Sequence, residues 1–170
     1  MHTVHDLDRE RLLELLRVHA LNWLAHDGCW FLGAEERDGW DSAQELNEKS
    51  WRRFTRVEAR RILKFMGIGP GGGTEALAQA LQFRLYAQVN DQEIVEMDEH
   101  RLVFTMKECR VQAARRRKGL PLHKCKSAGI IEYAGFAETI DPRFRTRCIV
   151  CPPDETPPGV YCSWEFTLEG

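Results

Sequence analysis

Cys109, Cys125, Cys148, Cys151 and Cys162 all fall in the C-terminal third of the chain, and only Cys29 stands near the front. Sulfur at this density can hold a soft metal, act as a nucleophile, or simply pack. Zinc or an iron–sulfur cluster needs about four Cys or His ligands. Cys148 and Cys151 have the C-x-x-C spacing of a metal knuckle, but a second close pair is absent. The metal reading therefore draws on all five C-terminal thiols, with His123 as a possible extra ligand. A reactive thiol needs an acid–base neighbour, and Glu132 stands close in sequence to Cys125. In that reading Cys125, Cys109 and Glu132 are the catalytic candidates, and Tyr133 is a packing residue with a satisfied hydroxyl. The third reading is that the thiols are small buried apolar side chains, since free Cys is among the most buried residue types.

Other chemistry-bearing residues are less pointed. Glu35, Glu36, Glu45 and Glu58 invite comparison with di-metal bundles, but the partner Glu-x-x-His is missing, because Arg61 stands three after Glu58. Solvated faces or a buried Glu–Arg pair fit better. Arg115, Arg116, Arg117 and Lys118, with the basic residues of 52–64, read as a solvated helix face. GPGGGT lacks the Gly-Lys-Ser/Thr ending of a phosphate loop and follows no strand, so it reads as an interhelical connection. His19 and His26 read as core or rim histidines beside Trp23.

These residues must be positioned by elements that the pattern of apolar residues reveals. Leu12, Leu13, Leu16, Ala20, Trp23 and Leu24 recur at threes and fours, which predicts a helix over 7–26. Gly39 breaks the next stretch, and Asp41 or Ser42 can cap a helix over 42–66. Its buried side is expected from Leu46, Trp51, Phe54, Val57, Ile62 and Phe65. Five glycines and a proline in 67–73 end it. Thr74 then reads as the N-cap of a further helix. Near residue 92 the texture changes. EIVEM and LVFTMKE flank a polar turn as a β-hairpin. Helices are expected over 110–118 and 126–140, the latter with Ile130, Ala134 and Ala137 inward. FRTRCIVC and YCSWEFTL form a second hairpin.

The register of that hairpin decides where the thiols point. Cys162, Trp164, Phe166 and Leu168 share one face of their strand, and Cys148 shares a face with Phe144 and Val150. A symmetric loop opposes Cys148 to Ser163 and turns the two apolar faces apart. A slip of one residue opposes Cys148 to Cys162 and puts both faces on one side, and this is the preferred register. Cys109, Cys125, Cys148 and Cys162 are then expected in one pocket, with Cys151 at its rim.

The whole chain reads as a single α+β domain over 1–170, with a helical layer (1–90) packed on a four-stranded antiparallel sheet within a cysteine-rich half (91–170). Hydrophobic residues at 43 % and charged residues at 29 % suit a globular protein. The net charge of −2 gives no general reason to expect nucleic acid. No window approaches the ~18 apolar residues of a membrane span. The charged N-terminus lacks an apolar signal core, which points to a cytoplasmic location.

ECRVQAARRRKGLPLHKCKSAGIIEYAGFAETIDPRFRTRCIVCPPD and YCSWEF, with WFLGAEERDGWDSAQELNEKSWRRFTRVEARRI before them, resemble an uncharacterised bacterial cytosolic-protein family over nearly the whole chain. More distantly, the back half is similar to the L-2-amino-thiazoline-4-carboxylic acid hydrolase family, with Cys109, Cys125 and Cys162 at the matching places. The sequence departs from that family after Cys125, where KSAG replaces an aspartate-bearing pattern, and it adds Cys148 and Cys151. The closing strand also resembles 4-vinyl reductase-type ligand-binding domains. Together these imply a cytosolic small-ligand- or metal-binding domain, sensory or accessory in role. The alternative they imply is a thiol- or metal-dependent hydrolase of cyclic amidine or amide C–N bonds. The expected partner is a small-molecule ligand, with neither nucleic acid nor membrane; the expected cofactor, if any, is zinc or an iron–sulfur cluster.

Overall fold

The structure is a computed structural model that describes residues 3–169. Helix α1 (Arg9–Asp38) is capped by the Asp8 carboxylate, which accepts from the Arg11 amide at 2.8 Å. It passes without a break through the expected end near residue 26 and stops only at Gly39. There φ is +81°, a conformation that side chains with a Cβ disfavour. Helix α2 (Trp40–Met66) starts immediately after, so Gly39 rather than Asp41 or Ser42 occupies the cap position.

Only Ala20 and Leu24 of the expected α1 face are buried, while Leu12, Leu13 and Leu16 stay 42–52 % exposed. Similarly, Leu46 and Phe65 of α2 are exposed. The buried stripe of α2 instead includes Gln44, Thr55 and Glu58 alongside Trp51, Ala59, Ile62 and Leu63. Polar members interrupt the apolar period, and that is why hydropathy alone misplaced the face.

Gly67 closes α2 in the left-handed region, donating to the Leu63 and Lys64 carbonyls. Helix α3 (Gly73–Gln82) begins two residues earlier than an N-cap at Thr74 predicts, with Gly72 at the cap position. The Asp141 carboxylate, remote in sequence, accepts from the Gly73 amide at 3.1 Å, and the Thr74 hydroxyl donates to the Asp98 carbonyl. A cap supplied by tertiary contact leaves no local signature. A 3₁₀ turn, Leu85–Gln88, leads into the sheet.

Strands β1 (Asp91–Met97) and β2 (Arg101–Glu108) form the first hairpin. Helices α4 (Arg110–Arg117) and α5 (Lys126–Ile140) follow, then β3 (Phe144–Val150) and β4 (Cys162–Leu168). The four strands make one antiparallel sheet in the order β1-β2-β4-β3. Helix α5 packs between α2 and the sheet, and α1 packs on α2 and the 3₁₀ turn. The core joins α2, α3 and α5 to the inner face of the sheet, around Leu77, Phe104, Phe136, Ile140, Phe144 and Phe166. This is the α+β architecture expected. Within α5, Ala137 is buried as expected, but Ile130 and Ala134 are only partly covered; Ala128, Glu132, Tyr133 and Phe136 are the more deeply buried residues.

The second hairpin pairs in a different register from the expected one. Cys148 lies opposite Trp164, not Cys162, and Phe144 opposite Leu168. The two registers differ by two residues and so present the same faces. Burial of one face fixes the parity of a pairing and leaves its exact offset open. A bulge between Cys148 and Val150 then brings Val150 opposite Ser163. One extra residue reverses the alternation beyond it. Cys151 therefore turns inward and is 1 % exposed, where the rim had been expected.

Candidate functional site: a thiol-lined cavity

Between the C-terminal half of α1, α4, the start of α5 and the sheet lies a cavity of about 540 Å³. Four of the five C-terminal thiols line it: Cys109, Cys125, Cys151 and Cys162. Cys148 does not. It faces a separate shallow groove with Trp40, Lys126, Ile130 and Pro153. The expected roles of Cys148 and Cys151 are thus exchanged, and the bulge in β3 is the cause. Cys29 is exposed on α1 and borders the same cavity.

Each thiol has a distinct setting. Cys109 stands at the cap position of α4, and burial pushes its pKa up to about 11. Cys151 interacts with the thiols of both Cys125 and Cys162. The contact with Cys125, together with burial, drives its pKa upward, while that with Cys162 opposes the rise. Cys162 is likewise raised, first by Cys151 and then by burial. These three are neutral thiols at pH 7. Cys125 occupies the cap position of α5. The Gln112 side-chain amide donates to its sulfur at 3.1 Å, and the thiol donates to the His123 carbonyl. Gln112 also clasps the His123 backbone on both sides, donating to its carbonyl and accepting from its amide at 2.8 Å. Gln112 thereby ties α4 to the chain that leads into α5.

No group of three or more His, Cys, Asp or Glu side chains among the described residues is arranged to hold a metal ion. The thiols of Cys125 and Cys162 each interact with that of Cys151. His123, the proposed extra ligand, is instead stacked edge-on to Phe31 and tilted on Trp40, with ring centroids 4.7 and 4.9 Å away. Burial and the nearby Arg115 guanidinium lower its pKa to about 4. Arg115, expected on a solvated face, is buried. It donates to the Pro121 carbonyl and to the Glu35 carboxylate, and lies 5.4 Å over Trp40. This cluster fastens the end of α1 to α4 beside the cavity.

The deep wall is formed by Glu132, Tyr133 and Trp164. Tyr133 stacks on Trp164 at 4.7 Å. Gly129 allows the indole to lie against α5, because a Cβ there would sit 2.7 Å from the ring. Glu132 belongs to a buried cluster: Arg84, only 2 % exposed, donates to Glu132 at 2.6 Å and to Glu58 at 3.0 Å. Burial disfavours the guanidinium charge, but the two carboxylates outweigh it and raise the Arg84 pKa. Two carboxylates share one cation. Burial pushes Glu132 up to about 7 against the pull of Arg84, with Glu58 and Asp27 adding to the rise.

Cys109, Cys125 and Glu132 therefore meet at one cavity, as the thiol-chemistry reading requires. Sequence reasoning did not find Asp27, Arg84 or Gln112. Arg84 had a signal, as the one cation in the apolar run LAQALQFRLYA. Asp27 and Gln112 had none, because their importance comes from neighbours distant in the chain. Among the described residues, no helix is long and apolar enough to cross a membrane.

Residues 5–168 match the model of a family of unknown function, DUF6125, and the chain belongs to that family. No curated protein and no solved structure matches it.

Proposed function

We propose, for this member of a family without an assigned activity, that the protein binds a small, largely apolar molecule in the thiol-lined cavity. The observation that carries this is the cavity itself. It has the volume of a small-molecule site and reaches the sheet through apolar walls, with a few convergent polar groups at Glu132, Asp27 and the four thiols. A core of this size ordinarily closes such space, because unfilled volume costs packing energy. Gly28 offers a clean test. It lines the cavity from α1, and a Cβ there meets nothing within 4 Å. Gly28→Phe should keep the fold and fill the space. The neutral dye N-phenyl-1-naphthylamine should brighten with the wild-type protein and bind at least about tenfold more weakly to the variant. Equal binding by both proteins would move the ligand elsewhere.

One observation favours a second reading, a thiol-dependent hydrolase of cyclic amidine or amide C–N bonds. Cys125 stands at the N-terminus of α5 on the cavity lining, and its sulfur accepts from the Gln112 side-chain N–H. Glu132, with a pKa near neutrality, lines the same cavity. In this reading the Cys125 sulfur adds to the carbon and Glu132 delivers a proton to the departing nitrogen. The C–N bond breaks, and water then releases the product from sulfur. Turnover of small cyclic amidines that Cys125→Ala abolishes would establish it.

A further inference from the structure

Three of the cavity thiols stand side by side. Cys151 meets the thiol of Cys125 on one side and that of Cys162 on the other. The backbone accounts for both meetings. On the first side the Lys126 amide, next after Cys125, donates to the Pro152 carbonyl, next after Cys151, at 3.0 Å. A second tie runs beside it: the Asp154 carboxylate accepts from the Cys151 amide at 3.3 Å and from the Lys126 ammonium at 2.8 Å. The start of α5 is thus fastened to the chain leaving β3, with one cysteine at each end of the fastening. On the second side the register of the last hairpin, with Val150 opposite Ser163, continues to Cys151 beside Cys162.

The three sulfurs differ in what else they meet. All line the cavity, but Cys125 is partly exposed while Cys151 is 1 % exposed. The Cys162 sulfur is also engaged by the Trp164 indole N–H. Cys125 is therefore the thiol that a small solute meets first, and Cys151 is the neighbour that can close on it. Sulfurs already in contact bond with little movement of the chain. We infer that Cys125 and Cys151 are a peroxide-oxidisable pair that closes to a disulfide on the cavity wall. Cys125 gives its proton to water and attacks one oxygen of a hydroperoxide. The S–O bond forms, the O–O bond breaks, and the departing oxygen takes up that proton; from hydrogen peroxide it leaves as water. The Cys151 sulfur then attacks the Cys125 sulfur. The S–S bond forms, the S–O bond breaks, and the hydroxide leaves with the Cys151 proton as water. Two thiols and one peroxide become one disulfide and two waters. Proximity drives the closing step, since Cys151 is otherwise a neutral thiol. The pair stands whether or not a ligand occupies the cavity. Its closure takes the Cys125 sulfur out of thiol chemistry.

Mass spectrometry of the full chain tests this directly. The reduced protein is treated with a small excess of hydrogen peroxide, denatured, and alkylated with N-ethylmaleimide. The monomer should carry four of the six possible labels, and dithiothreitol before alkylation should restore all six. Trypsin then identifies the bond. It cuts after Lys124, Lys126 and Arg147, so Cys125 lies in a dipeptide while Cys148, Cys151 and Cys162 share the segment 148–170. The expected bond joins these two peptides, and fragmentation should place it at Cys151. Cys125→Ser and Cys151→Ser should each slow the loss of two labels by about tenfold or more, while Cys148→Ser should leave its rate within about twofold. The mapping uses the wild-type chain, so it decides the pairing even where a variant fails to fold. Six labels retained after peroxide, a bond between Cys151 and Cys162 inside the C-terminal segment, or oxidation of Cys125 to sulfinic acid with no bond would each overturn the pair.

Discussion

The C-terminal half of α5 buries Phe136, Ala137 and Ile140 completely, while its N-terminal half places Ala128, Gly129 and Glu132 on the wall of a cavity. Both halves use a glycine for close approach. Gly135 lies against α2, where a Cβ would come within 2.7 Å of the Thr55 methyl and 3.0 Å of Arg56. Gly129 lies against the Trp164 ring. The difference is what stands behind the neighbour. Behind Thr55 is packed helix, and behind Trp164 is open space. One helix thus serves as a core element at one end and as the wall of a ligand site at the other. Close packing at the first end gives the rigidity that holds open the second.

The sharpest way to break this contrast is at the junction of the two halves, where Arg84 neutralises Glu58 and Glu132. Arg84→Met should destabilise the fold by roughly 3–5 kcal/mol in urea denaturation, because it leaves two buried carboxylates unpaired. A loss under about 1 kcal/mol would mean that water reaches the cluster.

Proton linkage should distinguish the two buried titrating groups. His123 titrates at about 4 when folded against an ordinary 6.5. The unfolded chain then binds more protons across that window, so stability falls as pH drops from about 6.5 to 4. Glu132 titrates at about 7 when folded against 4.5. Here the folded chain binds more protons, so stability falls as pH rises from about 4.5 to 7. Each shift corresponds to about 3 kcal/mol. The two oppose each other in the wild type. His123→Phe should unmask the loss on raising the pH, and Glu132→Gln the loss on lowering it, as read from denaturation midpoints between pH 4 and 8.

The two glycines sharpen the comparison at smaller cost. Gly135→Ala should lose about 1–3 kcal/mol, because packed neighbours must move. Gly129→Ala should lose less, because Trp164 can tilt into the cavity, but it should weaken dye binding more than Gly135→Ala does. The same order in both stability and binding would remove the distinction between the ends. The smallest effect is on thiol reactivity. At pH 7.5 a disulfide reagent should modify the exposed Cys29 first and the raised-pKa thiols of the cavity slowly. Cys29→Ser should remove the fast phase.

Much of the frame was legible in the sequence. Gly39, the glycine loop at 67–73 and the two β-hairpins punctuate the chain where the patterns of period 3.6 and period 2 change. Alternation placed Cys162, Trp164 and Phe166 on the inner face of β4, and the structure agrees. Alternation could not locate the bulge after Cys148, because one inserted residue leaves no mark on composition. That residue exchanged the positions of Cys148 and Cys151. For Glu35, Glu36, Glu45 and Glu58 the sequence left solvated faces or a buried Glu–Arg pair open; Glu58 is in such a pair, with Arg84, which arrives from beyond α3. The N-terminal turns of α1 show the converse limit: a regular apolar period at Leu12, Leu13 and Leu16 says that a face can be buried, without showing that this fold buries it.

The most direct test of the ligand site is a methyl NMR titration of the full chain with 2-phenoxyethanol, which needs no charge complementarity. The cavity predicts saturable shifts at the methyl groups of Leu24, Met106 and Ala128, which line it, with those of Leu63, Leu77 and Ile140 in the closed core unmoved. Shifts spread equally over both sets, or none at millimolar ligand, would contradict a ligand site at the N-terminal end of α5.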